Sequence, residues 1–419
     1  MSSQSVESKA NEVQEPKPDT KYSWFVCACA FLCLMLTLGT NTSFGVYQVY
    51  YIDTKFPDKS PSTISWIGSI TVAMMLFSGI IAGKLNALFG YRITAWIGCL
   101  FSIVGLVSAS FCDSVGTLMV TQGVILGIGN GLIYITSVSI TAMWFEKYRG
   151  VALGIIFAGS GVGGIVLTNI VSAILKSLGY KWALRICAVF FVVIVGLSAL
   201  SYKPRVPISK NVNIIDLSGI KDFIFISSSL CGFIGNLGFI VPIYFLPPDA
   251  ISLGASDSQA TLISTLFNVG LLIGGVVLGA AVDIAGPLNT FLVSTFLSGF
   301  FQLLLWIIFP SVSSFFALTF LYGFFLSGFL ANCIAVIGKY FAPERIPALN
   351  GSYFLICAVS LIVSNFAISA LISEKPNGDT DYKKTVILSS MGYMVGALCL
   401  IPGILVARSR LKGETSWRF

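Results

Sequence analysis

The chain has no histidine, and only 10 % of its 419 residues are charged. Without histidine the commonest metal ligand, proton shuttle and triad base are all gone. There is also no Gly-rich phosphate loop and no nucleophile elbow. Neither an enzyme nor an ATP-driven pump is expected, and no cofactor or metal. The ten cysteines form no CxxC pair, and apart from Cys27, Cys29 and Cys33 they stand singly in apolar stretches. That pattern suits small packing residues rather than disulfides or metal ligands.

A soluble chain is about a quarter charged. The shortfall here accompanies a hydrophobic content of 56 %. Repeated apolar runs of about 20 residues read as membrane spans. The expected fold class is therefore an all-α membrane protein. The +7 net charge does not call for nucleic acid, because the basic residues lie between the apolar runs.

Residues 1–22 are polar and lack the apolar core of a signal peptide. They read as a disordered cytoplasmic tail. Twelve apolar segments follow, in two sets of six: residues 23–202, a polar linker at 203–219, then residues 220–407. Helix 7 is expected over Ile220 to Leu246, and residues 408–419 form a second cytoplasmic tail. With the N-terminus inside, the tails and the even-to-odd loops hold about 17 of the 25 lysines and arginines. Both termini are thus expected in the cytoplasm, with the plasma membrane as the default location and internal membranes open.

The two halves repeat. Gly83 to Arg92 reads GKLNALFGYR and Gly279 to Leu288 reads GAAVDIAGPL, each between the second and third helices of its half. Gly83/Gly90 and Gly279/Gly286 have the same separation. This is the parallel six-plus-six repeat of a transporter. The loop resembles the cytoplasmic gate motif of the major facilitator superfamily, though Ala87 stands where the motif has Asp, and Asp283 has no basic partner in its own copy.

Trp144 to Gly164 reads WFEKYRGVALGIIFAGSGVGG. So much glycine lets membrane helices approach closely. Gly150/Gly154 and Gly159/Gly163 repeat at four residues, so they are expected on one face, with Gly154, Gly159 and Gly163 as packing positions. Trp144, Phe145, Lys147, Arg149, Ala152, Gly154, Ala158, Gly159 and Ser160 resemble the fifth-helix signature of the monocarboxylate-porter family, with Val151 replacing its Leu. Asp19, Tyr22 and Trp24 resemble that family's motif before helix 1. Gln122-Gly123 and Trp182 to Arg185 are similar to its fungal branch.

The resemblance implies twelve transmembrane helices in the major facilitator fold, with helices 1, 4, 7 and 10 around a central cavity. The implied solute-binding residues are Asn41, Thr42, Asn130, Tyr134, Asn236, Asn268, Asn332 and Asn365. Each asparagine alone reads first as interhelical glue, and it is as a group that they favour a wet central cavity. Arg92, Lys147, Arg149 and Asp283 are the expected gate, with Asp283 paired to a basic group. The lactate carriers of this family share a helix-1 lysine and a helix-8 Asp and Arg. Here those positions fall near Thr42 and on Leu271 and Gly275, all uncharged. The resemblance thus implies a monocarboxylate-porter-like transporter of a small organic solute, without the carriers' proton–carboxylate chemistry. The alternatives are an exporter of an apolar metabolite or toxic compound, and a non-transporting sensor. The expected partners are the solute, with or without a coupling proton, and the lipid bilayer. A monomer is expected.

Overall fold

The computed structural model describes residues 16–205, 219, 221–341, 345–371, 373–374 and 380–410. Most of the linker and of the two expected tails lies outside the described residues. Among the described residues the apolar runs form twelve spans, counting one bent pair of helices as a single span. They are α1 (Lys21–Lys55), α2 (Thr63–Phe77 and Gly79–Phe89, bent by 43°), α3 (Tyr91–Ala109), α4 (Val115–Trp144), α5 (Arg149–Leu178) and α6 (Tyr180–Ser201). The second half has α7 (Phe223–Ser252), α8 (Ser258–Ala285), α9 (Pro287–Ile308), α10 (Val312–Tyr340), α11 (Ala348–Ile368) and α12 (Lys383–Arg410). Among the described residues the only strands are β1 (Ser373–Glu374) and β2 (Thr380–Asp381), an antiparallel pair between α11 and α12. Such a multi-pass helical bundle satisfies its backbone within lipid. An even number of spans puts both ends on one face, called the termini face below.

Local signals set the breaks. Thr20 and Ser23 form a capping box at the start of α1. Gly90 and Gly286 have φ of 83° and 88°, which explains the repeated glycine in the two loops. Gly90 starts α3 and Gly286 starts α9.

α7 is broken. Its helix stops at Asn236 and restarts at Val241. Pro242 has no N–H for the Gly238 carbonyl. Four carbonyls about the break take side-chain hydroxyls instead. Ser360 and Ser364 of α11 donate to Phe233 and Leu237, Ser389 of α12 donates to Gly238, and Tyr322 of α10 donates to Phe239. Irregular backbone at membrane depth survives only with such internal partners. α7 also runs to Ser252, beyond the expected end at Leu246, with Pro247 and Pro248 inside it.

Candidate functional site

The halves meet where α5 passes antiparallel to α8. A Cβ on Gly150 would stand 2.5 Å from the Gly279 carbonyl oxygen, and one on Gly275 would stand 2.7 Å from that of Gly154. The two backbones therefore touch, as small residues permit in lipid. Gly161 and Gly164 continue the seam upward to Asn268. Gly159 and Gly163 do not join it. They pack on α1, Gly159 against Phe31 and Gly163 against Met35 and Gly39. The single expected face is two faces, because the five-residue step from Gly154 to Gly159 turns the helix by about 140° beyond a full turn.

The seam is closed at the termini face by a carboxylate. Asp283, at the end of α8, accepts the Gly150 N–H at 2.7 Å and the Val151 N–H at 2.9 Å. These are orphan donors at the first turn of α5, where a negative charge is favourable. The hydrogen bonds of the carboxylate thus go to a helix N-terminus in the other half, and the expected basic group, Arg149, acts on it through its charge alone. Arg149 also crosses between halves, donating from Nη1 to the Gly338 carbonyl of α10 at 2.6 Å.

The other two expected gate residues act elsewhere. Arg92 donates to Leu200 O at the end of α6, within its own half. The Lys147 side chain lies over the Tyr148 ring. Asp19 was not among the expected gate residues. Its carboxylate accepts the backbone N–H groups of Glu146, Lys147 and Tyr148, which shape the turn leading into α5. It does so with φ 56°, the one left-handed non-glycine backbone among the described residues. The fold therefore brings the two sequence motifs, before helix 1 and at helix 5, into direct contact.

The candidate solute-binding residues divide. Tyr134 lies between the halves, its ring edge-on to Phe157 of α5 and to Phe354 of α11 at 6.0 and 5.7 Å. Asn268 lies in the seam against Gly164, with its Oδ1 buried and unpartnered. Asn41 borders a small cavity, and its Oδ1 is also buried without a partner. Asn130 is fully buried and ties α4 to Ser102 of α3 and, over 3.5 Å, to Thr37 and Thr40 of α1. Asn332 donates to Ser294 of α9. These two hold helices together within a half. Thr42, Asn236 and Asn365 hydrogen-bond carbonyls of their own helices.

The helix-8 positions are packed. Leu271 is 4 % exposed, and Gly275 is in the seam against Gly154 and Ala158. A carboxylate escaped the sequence reading because α7 was ended early. Asp249, half-buried near the far end of α7, accepts the Trp306 indole N–H at 2.7 Å.

Twelve spans in two lobes, a glycine seam between the lobes and capped loop repeats describe a transport fold. The sequence profile of the Major Facilitator Superfamily matches residues 22–221 and 228–416. The chain belongs to the Major Facilitator Superfamily. Among its relatives this facilitator is 30 % identical, over 392 residues, to an MFS-type transporter of Gibberella moniliformis, covering 92 % of this chain and 91 % of that one. It is 28 % identical to the aspyridones efflux protein of Emericella nidulans, over 86 % and 74 % of the two chains. It is 27 % identical to the fujikurins efflux protein of Gibberella fujikuroi, over 96 % and 85 %. Its fold is similar to the crystal structure of a bacterial homologue of the iron transporter ferroportin, with TM-score 0.71 at 13 % identity, over 92 % of this chain and 99 % of that one. The protein is a membrane-embedded facilitator that carries a small solute by alternating access, not an enzyme.

Proposed function

We propose that this facilitator exports a neutral, weakly polar organic compound of the secondary-metabolite kind. The observation that carries the reading is the packing of α8. Gly275 touches the α5 backbone, so no arginine side chain fits there while the seam is closed, and Leu271 is buried beside it. Thr42, near the position of the lactate carriers' lysine, returns its hydroxyl to Gly39 O. A carboxylate solute entering this region would meet no cation, and its desolvation would go uncompensated. Tyr134, Phe157 and Phe354 present aromatic surface between the halves instead. The efflux names of the aspyridones and fujikurins relatives agree with this reading.

The charge asymmetry of the loops supports a cytoplasmic termini face, and the plasma membrane is where export completes. The closed seam then makes this a state shut toward the cytoplasm. Asn41, Tyr134 and Asn268 are the proposed solute contacts, and Arg149 and Asp283 the proposed gate. Candidate carriers of a coupling proton are Asp249 and Asp283.

The helix-5 motif favours a second reading, monocarboxylate uptake, and one experiment separates the two. Purified protein is placed in vesicles with an imposed inward proton gradient and an internal pH dye. No gradient-driven lactate entry is expected. In parallel, metabolites of cells and medium are compared with and without the gene. The exported compound should move from medium to cells on deletion. Robust lactate entry with matching acidification overturns the proposal.

A further inference from the structure

Between α1, α2 and α4 lies a cavity of about 10 Å³. That is room for one water-sized group. Its polar lining comes from Thr40, Asn41, Thr71 and Gln122, and its walls from Phe44 and Gly68. The hydrogen-bond directions around it can be assigned. Thr40 donates to Leu36 O at 2.7 Å, and its oxygen already takes the Asn130 amide at 3.5 Å. Thr71 donates to Ile67 O and to Gln122 O, at 2.8 and 2.9 Å, and is left an acceptor. The Gln122 carbonyl takes the Tyr51 hydroxyl at 3.0 Å, which fixes the glutamine side chain. The Asn41 amide nitrogen lies on the Met75 thioether at 3.2 Å, a weak acceptor. Asn41 Oδ1 is buried with no donor at all.

An unpaired buried carbonyl is costly. The unpaired Asn41 Oδ1 calls for a ligand group that can donate one hydrogen bond to it. A carboxylate only accepts and leaves Asn41 Oδ1 unpaired. A bare cation would find no counter-charge among these side chains. The chemistry that fits is a hydroxyl.

We propose that this pocket is a hydroxyl subsite. It holds one water when the transporter is empty, and a hydroxyl of the solute takes the water's place during transport. An ordered water is nearly as good a partner as a direct hydrogen bond, so the exchange is close to balanced and the site remains satisfied at each step. Only the solute half of this proposal rests on the exporter reading.

Two measurements on the full-length protein in nanodiscs test it. X-ray radiolysis makes hydroxyl radicals from water at a site and oxidises adjacent groups. Phe44 and Met75 are each 5 % exposed, so bulk radicals reach them poorly. With a resident water they oxidise faster than other side chains of the same type and burial, and Asn41→Leu or the near-isosteric Thr71→Val removes that excess. Oxidation at the background rate in the parent protein, or an unchanged excess in both variants, overturns the water. The second measurement uses pyrenemethanol and its methyl ether, followed by quenching of protein fluorescence. The alcohol binds about tenfold tighter than the ether, and the difference disappears in both variants. Equal binding of the two probes in the parent overturns the solute half. If neither probe binds while Phe44 and Met75 still show the excess, the exporter reading and the solute half fall and the water site stands.

Discussion

Removing the charge of Asp283 tests how the halves are held together. Its two oxygens accept the Gly150 and Val151 N–H groups at 2.7 and 2.9 Å, and no other half-crossing carboxylate is described at this seam. A hydrogen bond to a charged group is worth about 1.5–3 kcal/mol when buried, and the helix N-terminus adds roughly 0.3–1 kcal/mol. Asp283 is exposed, so solvent screening reduces the sum to about 2 kcal/mol. Asp283→Asn keeps one acceptor oxygen and loses the charge, a loss of about 1 kcal/mol. Asp283→Ala loses the whole contact. The closed state should therefore lose weight by about fivefold in the first variant and about thirtyfold in the second. The assay is the maleimide reaction rate of a cysteine placed at Val282, which is buried against Gly150. That rate scales with the fraction of molecules whose seam is open. Native cysteines provide the background, measured in the parent chain. Rates unchanged in both variants, in protein that is folded and abundant, would refute the reasoning. High salt should shrink the difference between parent and variants.

Further outcomes follow from the same geometry. Gly154→Ala puts a methyl into the Gly275 carbonyl, so the same cysteine should react faster while the melting temperature barely falls. Gly159→Leu acts inside one half, on α1, and should lower the melting temperature and the abundance instead. Tyr322→Phe strips the hydroxyl from Phe239 O and from Tyr393, and a loss of about 1–2 kcal/mol in stability is expected from chemical unfolding. Asp19→Asn should weaken the turn before α5 without moving α1, and a drop in transport rate at unchanged protein level is its readout.

Much of the architecture could be read from the chain. Long apolar runs need only hydropathy to be found, and Gly90 and Gly286 announce the repeat because their left-handed backbone admits little else. The seam was legible as glycine but not as two faces, since its direction depends on which neighbour each face meets. The hydrogen-bond partners of Asp283 are main-chain N–H groups, which carry no signature in the sequence, whereas the charge of Arg149 beside it could be read. The asparagines share one composition and several roles. Asn130 binds helices together and Asn268 lies between the lobes, and only packing separates them. Pro247 and Pro248 hid the last turns of α7, and Asp249 with them. Gln122 drew notice only as part of a motif, because the Tyr51 hydroxyl that orients it lies 71 positions away.

The repeat of the two loops has a mechanical consequence. The shift that carries Gly83 onto Gly279 carries Ala87 onto Asp283, and it carries Gly150 and Val151 onto Ile346 and Pro347. At the second junction, α2 with α11, the carboxylate is missing, and proline offers no N–H to receive one. There Gly79 faces the Phe354 side chain, at 3.3 Å for an added Cβ, where the first junction has backbone on backbone. Among the described residues the Asp283 contact thus lies to one side of the pseudo-twofold axis. Two lobes fastened off-axis do not separate evenly. They are expected to pivot about the Asp283 contact and to part as a wedge, widest at α2 and α11.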